Sequence, residues 1–201
     1  METPILNPPH WNYYELLERD LQACFRFVEP VECHHEVYSI EFARIILAAA
    51  TEIENAFRGF AHTISYTPEP SSIGAYAACV TSRFPRFADM QILMRKYSIV
   101  LTPWEGFTVS TPPDWWTYGY NKIKHDRLQF PGAPTLIRAI NAVAALQVLL
   151  LHYYRVKYPG GLLAFDPVTL LMIPLERNDP LQGVDSMWGW TLPDEEREET
   201  N

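Results

Sequence analysis

The residues of this chain best suited to chemistry are compressed into the run from Pro113 to Arg127, PDWWTYGYNKIKHDR, in which aromatic rings, a histidine and three cations share about four turns of helix. At about 100° per residue, Asp114, Tyr118, Asn121 and His125 fall on one stripe, and Trp116, Tyr120, Ile123 and Arg127 on the opposite one. The apolar members, Trp116 and Ile123, are expected to face the body of the protein, leaving Asn121 and His125 beside a cleft or an inter-subunit surface. Histidine is the residue type that can serve as acid, base or phosphate ligand near neutral pH, and Lys124 and Arg127 would supply positive charge to a phosphoryl oxygen. A plainer use of the same residues is also open: Asn121 and His125 can satisfy buried backbone groups or tyrosine hydroxyls.

Other residues of suitable type are less well arranged. Glu52 and Glu54 could orient the cationic run across a bundle, but Arg58 stands four residues after Glu54, and a solvated helix face is the expected arrangement. Glu32, Cys33, His34, His35 and Glu36 are metal-ligand types, yet adjacent residues rarely converge on one ion, and no second cluster is spaced to complete a tetrahedral site. No metal is expected. No phosphate-binding glycine loop, nucleophile elbow, dinucleotide fingerprint or H-E-x-x-H pattern occurs, so no cofactor is expected either. Cys24, Cys33 and Cys79 are odd in number without a C-x-x-C pair, which argues for reduced thiols in a cytoplasm rather than a disulfide framework. Trp188 and Trp190, flanking Gly189, are expected to cover the core.

The elements that must position these residues are mainly helical. The run from Trp11 to Phe27 sets Tyr14, Leu17, Leu21 and Cys24 near one face, before Pro30. Ser39 is a good N-cap for a helix to about Phe60, with an apolar stripe of Phe42, Ile46, Ala49, Ala50, Ile53, Phe57 and Phe60. Ser71 and Ser72 can cap a third helix, Ile73 to Ser82, resumed after Pro85 as far as Met94. The short β-branched run from Ser98 to Leu101 reads as a strand or extended excursion. A fourth helix covers about Asp114 to Leu128 and carries the chemical run. A fifth, Pro134 to Tyr158, stacks Leu136, Ile140, Val143, Gln147, Leu150 and Tyr154, with a narrow polar stripe of Arg138, Asn141, His152 and Arg155. Leu162–Phe165 and Val168–Ile173 read as a small hairpin around Asp166 and Pro167.

These elements predict a mainly α fold, a four- to five-helix bundle with a minor β element. One domain over residues 1–193 would precede an acidic disordered tail, 194–201. With 24 Asp and Glu against 16 Lys and Arg, the formal charge of -8 disfavours loose binding of phosphate backbones but leaves room for a local basic patch. The N-terminal residues lack the basic-then-apolar order of a signal peptide. The most apolar stretch, Ala139 to Leu151, falls short of the roughly 20 residues of a membrane span, so no membrane partner is expected.

Tyr120, Asn121, Lys122, Ile123, Lys124 and His125 together resemble the signature of the HEPN superfamily, helical-bundle proteins in which an arginine, a following polar residue, three variable residues and a histidine form a metal-independent ribonuclease site. Asn121 and His125 match that pattern, while Tyr120 stands where the family has arginine and Arg127 lies two residues beyond the histidine. The order of helices over residues 39–158 is also similar. The resemblance implies RNA as substrate, a homodimer that completes the site, a cognate protein partner in a toxin–antitoxin or defence setting, and catalytic roles at Tyr120, Asn121, Lys124, His125 and Arg127. The alternative is a non-enzymatic structural or regulatory helical protein whose aromatic helix mediates self-association.

Overall fold

Ser39 opens the longest helix by accepting a hydrogen bond from the Phe42 amide at 3.0 Å, satisfying one of the donors that a helix start leaves without an intrahelical partner. The computed structural model describes residues 8–158 and the strand 172–174. In it this helix, α2, spans Ile40–Thr63, and every member of the expected apolar stripe from Phe42 to Phe60 is buried. Its main partner is α5, Leu136–Lys157, capped by Thr135, whose side chain accepts from the Arg138 amide. Because α5 is apolar nearly all round, it must be enclosed, and Ala139, Ile140 and every residue from Ala142 to Tyr154 is buried. By length and composition α5 could cross a membrane, but 83% of its most apolar window is buried inside this fold. α1, Pro9–Cys24, lies across both, burying Tyr14, Leu17, Leu21 and Cys24 as their spacing predicts.

α3, Ile73–Arg83, is capped by Ser72, whose hydroxyl accepts from the Ala75 amide at 3.2 Å. Its start packs so closely on a loop that a Cβ on Gly74 would lie 2.4 Å from the Val109 carbonyl oxygen. The helix does not resume after Pro85. Phe84 leaves helical geometry at φ -130° and ψ 84°, a proline follows, and a short turn at Phe87–Asp89 sends the Phe87 ring into the core. The expected continuation to Met94 is instead β1, Ile92–Met94, which pairs antiparallel with β2, Ile99–Leu101, bringing Ile92 opposite Leu101. β3, Met172–Pro174, pairs antiparallel with the other edge of β1, giving the order β2-β1-β3. The chain is thus a mainly α bundle with a minor β element, and the buried apolar residues form one core cluster. Apart from 172–174, the expected hairpin, the Trp188–Trp190 element and the tail 194–201 lie outside the described residues.

Candidate functional site

The run that carries the chemistry departs from regular α geometry. Its first part, Trp115–Tyr120, is π-helical, and the Asn121 amide donates to the Trp116 carbonyl five residues back. The second part, α4, is a regular helix over Asn121–Asp126. In the wider turn Trp115 and Gly119 join Trp116, Tyr120 and Ile123 on the inner side. Trp115 donates from Nε1 to the Pro103 carbonyl at 2.8 Å, and its ring meets Trp104 and Trp116 edge-on at 5.3 and 5.6 Å. Asp114, at the outer start of the run, accepts from Arg138 Nε at 2.7 Å. The same guanidinium donates to the Ala133 carbonyl and lies 5.9 Å from the Tyr118 ring.

Tyr120 is buried. Its hydroxyl donates to Glu54 Oε1 at 3.1 Å and accepts from Lys124 Nζ at 3.0 Å, while the Lys124 ammonium sits 4.9 Å from the same ring. Burial raises the Tyr120 pKa above its ordinary value. Lys124 opposes that shift and the Glu54 carboxylate adds to it, and the hydrogen bond to Tyr120 raises the Lys124 pKa in turn. At neutral pH Tyr120 is a neutral donor committed to Glu54. Glu54 is therefore not on a merely solvated face: it reaches across the bundle to the run, with Arg58 4.0 Å from its other oxygen. Glu52, two residues earlier, faces the other way and pairs with His10.

The remaining candidates lie outside. His125 and Lys124 are exposed and Asn121 is half-buried. Lys122 lies 4.1 Å from the Phe130 ring centroid. Arg127, expected on the inner stripe with Trp116 and Tyr120, is exposed because α4 ends at Asp126, one residue before it, and the helical phase that keeps Ile123 inside does not extend to it. A cleft of about 290 Å³ opens on the Asp114 side, between Pro103, Trp115, Ile137, Arg138 and Asn141, and none of Tyr120, Asn121, Lys124, His125 and Arg127 lines it. The structure thus brings Tyr120, Lys124 and Glu54 together but does not gather Lys124, His125 and Arg127 around one concavity. Trp115, Trp116 and Tyr120, whose aromatic surface motivated the expectation of self-association, are packed into the chain's own core.

Two residues to which the sequence assigns no part in the site matter to this frame. Trp104, wedged between Pro103 and Gly106 in sequence, is fully buried, stacks near Phe57, Phe87, Phe107 and Trp115, and donates from Nε1 to the Ala145 carbonyl at 3.0 Å. A tryptophan held in a Pro/Gly-bounded turn was the available signal. His152, expected on the polar stripe of α5, is buried instead. Nδ1 donates to the Val148 carbonyl at 2.7 Å, the Phe84 and Phe87 rings stand edge-on at 4.7 and 4.9 Å, and burial pushes its pKa down to about 4. The segment around Cys33 serves α5: the His35 and Val37 carbonyls accept from the Ile137 and Leu136 amides, while His34 Nδ1 lies 3.0 Å from the Glu29 carbonyl. Among the described residues no three His, Cys, Asp or Glu side chains converge as a metal site would require.

The fold and this face define a helical-bundle protein with a tyrosine-centred polar chain on its inner side and a cationic outer surface on the same helix. Comparison with protein-family models, with curated proteins and with solved structures returns no match to the chain.

Proposed function

We propose that the chain is a HEPN-like helical protein that binds single-stranded RNA through the cationic surface of α4 and does not cleave it. The observation that carries the reading is the use of position 120. The family pattern implies a permanently charged guanidinium there to neutralise a phosphate, whereas Tyr120 is neutral, buried and hydrogen-bonded to Glu54. Catalysis would also need His125 and the cations around one water-excluding concavity, and the described cleft on the Asp114 side is lined by none of them. Binding needs less: solvent-accessible charge that displaces counterions from a phosphate backbone, which exposed Lys124 and Arg127 and half-buried Lys122 provide, with Tyr118 and Phe130 exposed nearby as stacking surfaces.

The test is a fluorescent oligoribonucleotide titrated with purified protein in EDTA over a range of salt. Release of counterions at three cations predicts a log–log salt slope of about −2, flattened when Lys122, Lys124 and Arg127 are all replaced by alanine. No cleavage is expected from the wild type. Tyr120→Arg, whose guanidinium would be neutralised by Glu54, is expected to bind no more tightly than the wild type. If neither wild type nor Tyr120→Arg binds RNA, the reading fails. Cleavage by the wild type that His125→Ala abolishes would restore the ribonuclease reading instead.

A further inference from the structure

Charge is unevenly distributed along this sequence. Of its 24 acidic and 16 basic residues, 8 and 2 lie in the 27 residues after Pro174, so the helical body is close to neutral and most of the net -8 belongs to the C-terminal segment. Within that segment Asp194, Glu195, Glu196, Glu198 and Glu199 follow closely on Trp188 and Trp190.

The α4 surface has the opposite character. Elsewhere in the body Arg19, Arg44, Arg58, Arg86 and Arg138 each have a carboxylate partner. Among the described residues none of Lys122, Lys124 and Arg127 does: Lys122 rests on the Phe130 ring and Lys124 on the Tyr120 hydroxyl. The nearest acid in sequence, Asp126, accepts from the Gln129 amide. Beside these cations stand exposed His125, Phe130, and Leu128 at 85% exposure. Leu128 and Phe130 thus place apolar surface directly beside cations that have no carboxylate partner, in a chain whose acid excess lies in its C-terminal segment.

We infer that this cationic and apolar face of α4 is a docking surface for the chain's own acidic segment, residues 185–199, the two tryptophans lying on Leu128 and Phe130 and the carboxylates meeting Lys122, Lys124 and Arg127. Charge complementarity selects this occupant, and the length of chain permits it. Asp185 stands eleven residues after Pro174, and at about 3.3 Å per extended residue those residues reach roughly 36 Å, close to the span of a domain of this size. The inference concerns an intramolecular occupant and holds or fails independently of the RNA reading.

The sequence offers an unusually clean assay, because its only lysines are Lys96, Lys122, Lys124 and Lys157. The full chain, dilute and at low salt without nucleic acid, is treated with a zero-length carbodiimide that joins a carboxylate to an amine in direct contact. The linked peptides are then mapped by mass spectrometry on an equal mixture of ¹⁵N-labelled and unlabelled protein. The expected result is amide links from Lys122 or Lys124 to carboxylates within 185–199, in peptides of a single isotopic origin, reduced several-fold in 0.5 M salt and in Trp188→Ala/Trp190→Ala. The inference is overturned by links of the segment to Lys96 or Lys157 in place of the α4 lysines. Mixed-isotope links, which would make a second copy the occupant, overturn it too, as does the absence of links to the segment.

Discussion

His152 ties the stability of the whole bundle to pH, and the size of the effect follows from its surroundings. The imidazole is fully enclosed between Phe84 and Phe87, its Nδ1–H is held by the Val148 carbonyl, and the nearby Arg155 further disfavours a second proton. Its pKa in the fold is about 4, against 6.5 for an unperturbed histidine. Between those two values the unfolded chain binds a proton that the folded chain refuses, so stability is fully present above about pH 6.5 and declines as pH falls towards 4. At about 1.4 kcal/mol per pH unit the full window corresponds to about 3 kcal/mol, of which about 2 kcal/mol is lost between pH 7.5 and 5. The perturbation that isolates the group is His152→Leu, which removes the titration while keeping an apolar side chain between the two rings. Urea denaturation of both proteins at several pH values gives the difference between their unfolding free energies, cancelling the other titrating groups. The wild type should lose about 2 kcal/mol relative to the variant on going from pH 7.5 to 5. Parallel stability curves for the two proteins, or an imidazole proton resonance titrating near 6.5 in the folded state, would refute the reasoning.

Three further outcomes follow from the packing. Leu150→Ala removes a side chain of α5 with no solvent exposure and should cost about 2–5 kcal/mol in urea denaturation; a change within experimental error would show that this position is not core. Gly74→Ala sets a methyl against the Val109 carbonyl oxygen, so the loop must shift, and a loss of about 1–3 kcal/mol should appear as a lower melting temperature; unchanged melting would mean that the loop yields freely. Tyr120→Phe removes the hydroxyl between Glu54 and Lys124. It should cost about 1 kcal/mol, since both partners keep some access to water, and a variant as stable as the wild type would show that this polar chain does not hold the helix.

What the sequence made legible was the part governed by local rules. Ser39 and Ser72 are caps where side-chain chemistry places them, and the stripes of α2 and α5 are buried because 3.6-residue periodicity and apolarity act together there. What escaped depends on partners distant in sequence. The expected continuation of α3 runs through β1 because a three-residue strand is too short to show alternation, and one of its two neighbours, Met172–Pro174, lies about eighty residues further on. His152 was placed with Arg138 and Arg155 by angle alone. The wall that covers it comes from Phe84 and Phe87, after α3, where periodicity has stopped and only tertiary packing decides. Glu54 was assigned to solvent because Arg58 sits at the right helical spacing, yet the Tyr120 hydroxyl lies closer to it than that guanidinium does, and it arrives from another helix.

The candidate site itself shows the same division inside one short stretch. A regular helix turns consecutive residues about 100° apart, so Trp115 and Trp116 could both be buried only near the edges of one face. Winding the chain with hydrogen bonds five residues apart reduces the angle between neighbours. That lets both indoles enter the core. The regular helix resumes at Asn121, and from that point the phase is reset relative to the tryptophans. Tyr120, at the boundary, faces inwards to Glu54 and Ile123 follows it inside, while His125 is exposed and Arg127 lies past the end of the helix. Asn121 and His125 keep the four-residue spacing that produced the family resemblance, because both lie on the regular part. Position 120 is committed inwards: its hydroxyl lies between Glu54 and Lys124, so the residue that would have to bear charge in a cleavage site is a neutral donor there.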